Sequence, residues 1–212
     1  MNDFIDIYCE RIDPGFWDEP LNALTNISFF VTAFYAYSLA KKSGGVTRPA
    51  LVLVFLLLCI GTGSFLFHTL ATQWAQLTDV LPILFYQIAF LSLYSAHVMK
   101  APPRATGRFI FLFFLTIAAF RQLPGDLLNG SIEYAPALIF LGYLAYWHYR
   151  HAAREKRLLL LATGTFLLSL TFRSLDMQFC PEMSAGLHFL WHILNGFLLY
   201  LISRAYILNA KR

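Results

Sequence analysis

The sequence predicts an all-α integral membrane protein, a seven-transmembrane-helix bundle with the N-terminus outside and the C-terminus cytoplasmic. Three observations predict it. Of 212 residues, 58% are apolar and only 13% are charged, where soluble domains average about 25% charged. The apolar residues fall into seven runs, each near the roughly 20 residues that cross a hydrocarbon core of about 30 Å. The lysines and arginines collect in every second joint between those runs, as they do on the cytoplasmic face of a membrane. No repeat, low-complexity tract or long linker divides the chain, so residues 1–212 read as one domain, with 1–21 an acidic exterior segment.

The first run, Asn22–Ala40, follows "MNDFIDIYCERIDPGFWDEP". That stretch is acidic and has no basic region ahead of an apolar one, so it is not a signal peptide. Breaker-rich "KKSGGVTRP" leads to the second run, Ala50–Thr69, and the third, Leu77–Met99, ends at "KAPPRATGR". The fourth, Phe109–Leu123, is short: twelve residues separate Arg108 from Arg121. Snorkelling arginines, or Gln122 and Leu123, must supply the missing length. "PGDLLNGSIE", "RHAAREKR" and "MQFCPEMSAG" introduce the last three runs, Tyr134–Tyr149, Leu158–Leu175 and Leu187–Ile207.

Charge parity argues for the short fourth run. With seven crossings, Arg11, Arg121 and Arg173 alone fall outside, leaving 13 of the 16 basic residues on the cytoplasmic side. Without the fourth crossing, Arg150–Arg157 would change sides. The pI near 9 is then a topology signal with some contact to anionic lipid, and no nucleic-acid partner is needed.

His97, His148 and His151 lie at cytoplasmic ends, where an exposed interfacial role suffices. The other three histidines converge elsewhere. His68 lies at the outer end of the second span, Asp79 opens the third from that end, and His188 and His192 occupy the first turns of the seventh. His188 and His192 are four apart, on one helix face, a spacing suited to a single metal. Ser64 is four before His68, which stacks the hydroxyl one turn below the imidazole. Each residue has a plainer reading. A lone intramembrane histidine often hydrogen-bonds helix to helix, "GTGS" suits close helix packing, and Asp79 suits a helix N-cap. Their shared depth favours chemistry. Three neutral imidazoles make a catalytic zinc set with a fourth position for water of pKa about 7. Asp79 can hold or deprotonate that water, and Ser64 can donate to an oxyanion.

At these residues the sequence resembles a known family. "GSFLFH" with Asp79 eleven residues after His68, then "HFLWH", together with "YCER", "FWDEPLNALTNISF" and "LDMQFC", is similar to the alkaline ceramidases. These belong to a seven-helix superfamily that includes the adiponectin and progestin receptors. The resemblance implies zinc on His68, His188 and His192, with Asp79 as the base and Ser64 as the oxyanion donor. The reaction it implies is hydrolysis of the amide bond of a ceramide. It also implies calcium near the N-terminus, through a "D-W-C-E-x-N" stretch and a later glutamate. Glu10 and Glu19 fit the glutamates, with Asn22 close by, while Ile7 and Ile12 stand where an aspartate and an asparagine are expected. Glu10, Asp13, Asp18, Glu19 and Asn22 could supply some of the six to eight oxygens calcium takes. The alternative is a solvated acidic headpiece.

Cys59 lies inside the second span as packing, whereas Cys9 and Cys180 both fall outside. The resemblance implies that these two pair, in an oxidising exterior; two separate loop thiols are the alternative. The short chain with minimal loops suggests a bacterial inner membrane with the site facing the periplasm. Two rival functions stay open on sequence alone: a lipid esterase or phospholipase on the same scaffold, and a receptor-like or transport protein with a structural zinc closed by four protein ligands.

Overall fold

The computed structural model describes residues 3–210, and the regular elements among them are all helices, with no strand. In chain order the helices are α1 (Pro20–Thr25), α2 (Ile27–Lys42), α3 (Arg48–Leu70), α4 (Gln73–Leu93), α5 (Pro103–Phe120), α6 (Ala135–His151), α7 (Leu158–Leu175) and α8 (His188–Asn209). A π turn, Tyr94–Val98, continues α4, and 3₁₀ turns precede α6 and follow α7. Prolines sit in the first turns of α1, α3, α5 and α6, where a missing N–H costs nothing.

Five stretches are long and apolar enough to cross a membrane: Pro20–Lys42, Arg48–Leu70, Gln73–Val98, Pro103–Phe120 and Leu158–Gln178. Five of the seven expected spans therefore meet that measure. The others are α6, which has 17 residues, and α8, whose apolar run is broken by His188, His192, Asn195 and Arg204. The first expected span is two helices that meet at Asn26, whose side-chain amide donates to the carbonyls of Asn22 and Ala23. The fourth gains its length from the N-terminal side. It starts at Pro103, takes in Arg104 and Arg108, and ends at Phe120, so Gln122 and Leu123 contribute nothing.

Helices α2 to α8 share one core, with Phe29, Leu57, Tyr86, Phe113, Leu144, Leu159 and Trp191 all buried in it. Large apolar side chains also face outward, such as Phe55 at 64% and Phe111 at 66% exposed. Water does not tolerate such a surface over a whole bundle; lipid does. His148 corrects an expectation. It is fully buried rather than interfacial, and its ring nitrogens meet the Tyr94 hydroxyl at 2.5 Å and the Glu155 carbonyl at 3.2 Å.

One close approach sets the position of the site. Pro82 lies inside α4 and has no N–H to offer the carbonyl of Thr78, one turn earlier. Gly63 of α3 packs against that carbonyl, and a Cβ at position 63 would lie 1.8 Å from the Thr78 oxygen. The glycine hydrogen points at the oxygen, a Cα–H···O contact of the kind small residues permit between helices. The next residues on each helix, Ser64 and Asp79, are thereby brought face to face.

Candidate functional site

His68 comes from the last turn of α3, and His188 and His192 from the first two turns of α8. One nitrogen from each ring lies within 4.8 Å of the others, and all three side chains are buried, so the cluster could hold a metal ion. The outer hydrogen bonds orient two of the rings. His68 Nδ1 is 2.6 Å from Glu19 Oε2. A carboxylate only accepts, so the proton is on Nδ1 and the lone pair on Nε2. His192 Nδ1 is 3.0 Å from the Thr25 hydroxyl, which donates to the Leu21 carbonyl at 2.6 Å. That hydroxyl accepts from the ring, and Nε2 again carries the lone pair. His68 Nε2 and His188 Nδ1 are buried with no hydrogen-bond partner. Buried polar atoms are rarely left so, and ligation is one reason they are.

Asp79 lies in the second turn of α4 rather than at its cap, the cap position being Thr72. It is half-buried and faces the buried Ser64 side chain of α3. The structure thus brings together Ser64, His68, Asp79, His188 and His192. Asp79 also borders a cavity shared with Tyr8, Tyr134 and Arg173. Through Ile83, Gln87, Phe113 and Tyr134 that cavity adjoins an apolar one deeper in the bundle, between α2, α4 and α8.

The N-terminal segment lies over the cluster. Tyr8 stacks on His188 with ring centroids 3.7 Å apart and tilts against His68 at 5.2 Å; burial pushes its phenol well up from the ordinary value. Asp176, at the end of α7, organises the approach. Its Oδ1 accepts from the backbone N–H groups of Leu187 and His188, and its Oδ2 from that of Cys9. A carboxylate at the start of α8 also suits the helix dipole. Gly186 makes room for it: φ is +60°, and a Cβ there would come within 2.2 Å of Asp176 Oδ1. Cys9 and Cys180 form a disulfide, with Cα atoms 5.5 Å apart.

Glu10, Glu19 and Asn22 are not a solvated headpiece. All three are buried, and their partners are protein groups. Burial pulls the Glu19 carboxyl up, but hydrogen bonds from His68, Asn22 and Arg11 outweigh it and hold it below the usual carboxylate range. Sequence reasoning assigned Glu19 to calcium and missed its bond to His68. It also missed Tyr8, Thr25, Asp176 and Arg173. Arg173 carried a signal, being a charge at the end of an apolar run. Its guanidinium lies over Tyr134 and Trp191 and donates to the Asn129 carbonyl and Ser131 hydroxyl. Tyr8 and Thr25 had no pattern to mark them.

A search of curated proteins gave no match. A family model described as Ceramidase matches residues 16–210. The match covers most of the chain and takes in the histidine cluster, Ser64 and Asp79, and the chain belongs to the ceramidase family.

Proposed function

We propose that the chain is a zinc-dependent intramembrane amidohydrolase. Its substrate is ceramide or a similar N-acyl lipid, whose amide bond it cleaves to a sphingoid base and a fatty acid. Family membership implies a hydrolase acting on amide bonds and a lipid substrate. The observation that carries the finer reading is the buried cluster of three imidazoles, two of them with an unpartnered ring nitrogen, beside the Ser64–Asp79 pair.

The donor set suits zinc. It is three neutral imidazoles with no thiolate at hand, since the free Cys59 lies about two and a half helical turns before His68. Zinc held there supplies Lewis acidity and a water able to lose its proton near neutral pH. Glu19 and Thr25 keep the Nδ1 protons of His68 and His192, and so fix which nitrogen faces inward. Asp79 takes the proton of the attacking water and passes it to the amine nitrogen as the C–N bond breaks. The Ser64 hydroxyl faces Asp79 at rest. Once Asp79 holds a proton, that hydroxyl turns to the developing oxyanion. The apolar cavity beneath receives hydrocarbon chain.

The reading includes one domain with seven crossings and the site toward the exterior leaflet, periplasmic in a bacterial inner membrane. This arrangement keeps 13 of the 16 basic residues cytoplasmic. Purified protein incubated with N-acyl and O-acyl lipids should release a free amine and a fatty acid from the N-acyl members, as identified by mass. Release from O-acyl lipids alone would make the protein an esterase. His192→Ala should lose metal and activity together; full zinc occupancy in that variant would overturn the ligand assignment.

A further inference from the structure

Calcium takes six to eight oxygens, and the buried acidic residues of the N-terminal segment, Glu10 and Glu19, have few to give. Both Glu10 carboxylate oxygens are taken, by the backbone N–H groups of Leu21 and Asn22 at 2.7 and 2.8 Å. Asp18 Oδ2 accepts from the N–H groups of Ile12 and Asp13. Glu19 Oε1 meets Arg11 Nε at 2.5 Å, and Oε2 meets Asn22 Nδ2 and His68 Nδ1. Asn22 Oδ1 is the buried oxygen of this set left without a partner. One such oxygen does not make a calcium site.

A cation is nevertheless present, and it belongs to the chain. The Arg11 side chain is wholly buried. Besides Glu19, its guanidinium donates to the carbonyls of Asp13 and Gly15 from Nη1, at 3.1 and 3.2 Å, and to the carbonyl of His68 from Nη2, at 2.9 Å. One carboxylate and three carbonyl oxygens are the ligand types a hard cation would collect. Here they surround a planar fork of N–H donors that satisfies four of them at once. We infer that Arg11 is a tethered cation standing where the resemblance places calcium, so that this chain holds its N-terminal segment together without that ion. The residue carrying the charge lies directly after Glu10, within the stretch expected to bind the metal. A guanidinium and a divalent ion cannot share these oxygens, because like charges repel and the donor hydrogens fill the space between.

The test uses the full chain in detergent micelles, with calcium chloride as the probe. The wild type should give the same thermal unfolding midpoint in calcium as in EGTA, and no calcium-binding heat by titration calorimetry. Arg11→Ala should lower the midpoint in EGTA by roughly 6–20 °C, as for breaking a buried ion pair in a chain of this size. Arg11→Lys keeps the charge but loses the fork, and should recover less than half of that shift. A calcium-dependent rise in the wild-type midpoint that Glu19→Gln abolishes would overturn the inference. So would an Arg11→Ala midpoint equal to the wild type in EGTA. If Arg11→Ala does not fold, the wild-type calcium measurement still decides. Neither readout depends on zinc or on lipid hydrolysis, so this inference and the proposed activity fail separately.

Discussion

A neutral imidazole has one lone pair, and the partner of its other nitrogen decides where that pair points. His68 donates its Nδ1–H to Glu19 and His192 its Nδ1–H to Thr25, which leaves both lone pairs on Nε2. The hydroxyl of Ser64 faces Asp79. These commitments separate the roles of the residues. On the proposed function, Asp79→Asn keeps size and polarity but removes the base, so zinc should stay on the three imidazoles while turnover falls by about 100-fold to 10,000-fold. Ser64→Ala should cost turnover about 100-fold to 1,000-fold. Steady-state kinetics with parallel metal analysis checks both, and both should act on kcat more than KM. If Asp79→Asn sheds zinc, the aspartate is a fourth ligand and the site is a closed, structural one. At this scale the sequence was most legible where chemistry repeats at helical spacing. His188 and His192 share a face by periodicity, and Ser64 and His68 do too. Glu19 was not legible in this role. Its bond to His68 joins residues 49 apart in the chain, and no local pattern encodes that meeting.

Among the elements, α3 and α4 are the pair whose packing decides the chemistry. Gly63 lies against the Thr78 carbonyl that Pro82 cannot use, and this contact holds Ser64 beside Asp79. Gly63→Ala forces backbone apart rather than a flexible side chain, and should destabilise the protein by about 1–3 kcal/mol, as overpacking does. Gly107→Ala in α5 is the comparison, because a Cβ there meets nothing within 4 Å. That change should be neutral or slightly stabilising, since alanine is the better helix former. Thermal unfolding of the two variants under one condition checks the pair; equal midpoints would remove the contact from the argument. The helices themselves were legible because apolar runs of fixed length have few other uses. Their edges were less so. Proline allows a helix to begin among charged residues, as α5 does at Pro103. The break at Asn26 comes from a side-chain amide competing for backbone carbonyls inside an apolar run.

On the scale of the whole molecule, the two ends of the bundle differ. One is basic; the other carries the buried site, the disulfide and the tied-down N-terminal segment. Cys9 and Cys180 are separated by 171 residues. In the entropy model a loop that long constrains the unfolded chain by on the order of 4–5 kcal/mol, less where a bilayer already restrains it. A digest made without reductant should contain the linked peptides, and mass analysis finding two free thiols would end this account. The disulfide was legible only through family resemblance, because seven intervening helices, α1 to α7, separate its halves. The segment it anchors also pairs Phe4 with Thr72 and bonds Ile5 N–H to the Ala71 carbonyl. Tyr8 then closes over His188 and His68, which are 1% and 0% exposed. On the proposed function, a catalyst roofed in this way is reached sideways, from the surrounding lipid. Its encounters with lipid take place in two dimensions, so the quantity that sets its working rate is the mole fraction of substrate among its neighbours in the leaflet, and diluting the suspension with buffer leaves that quantity untouched.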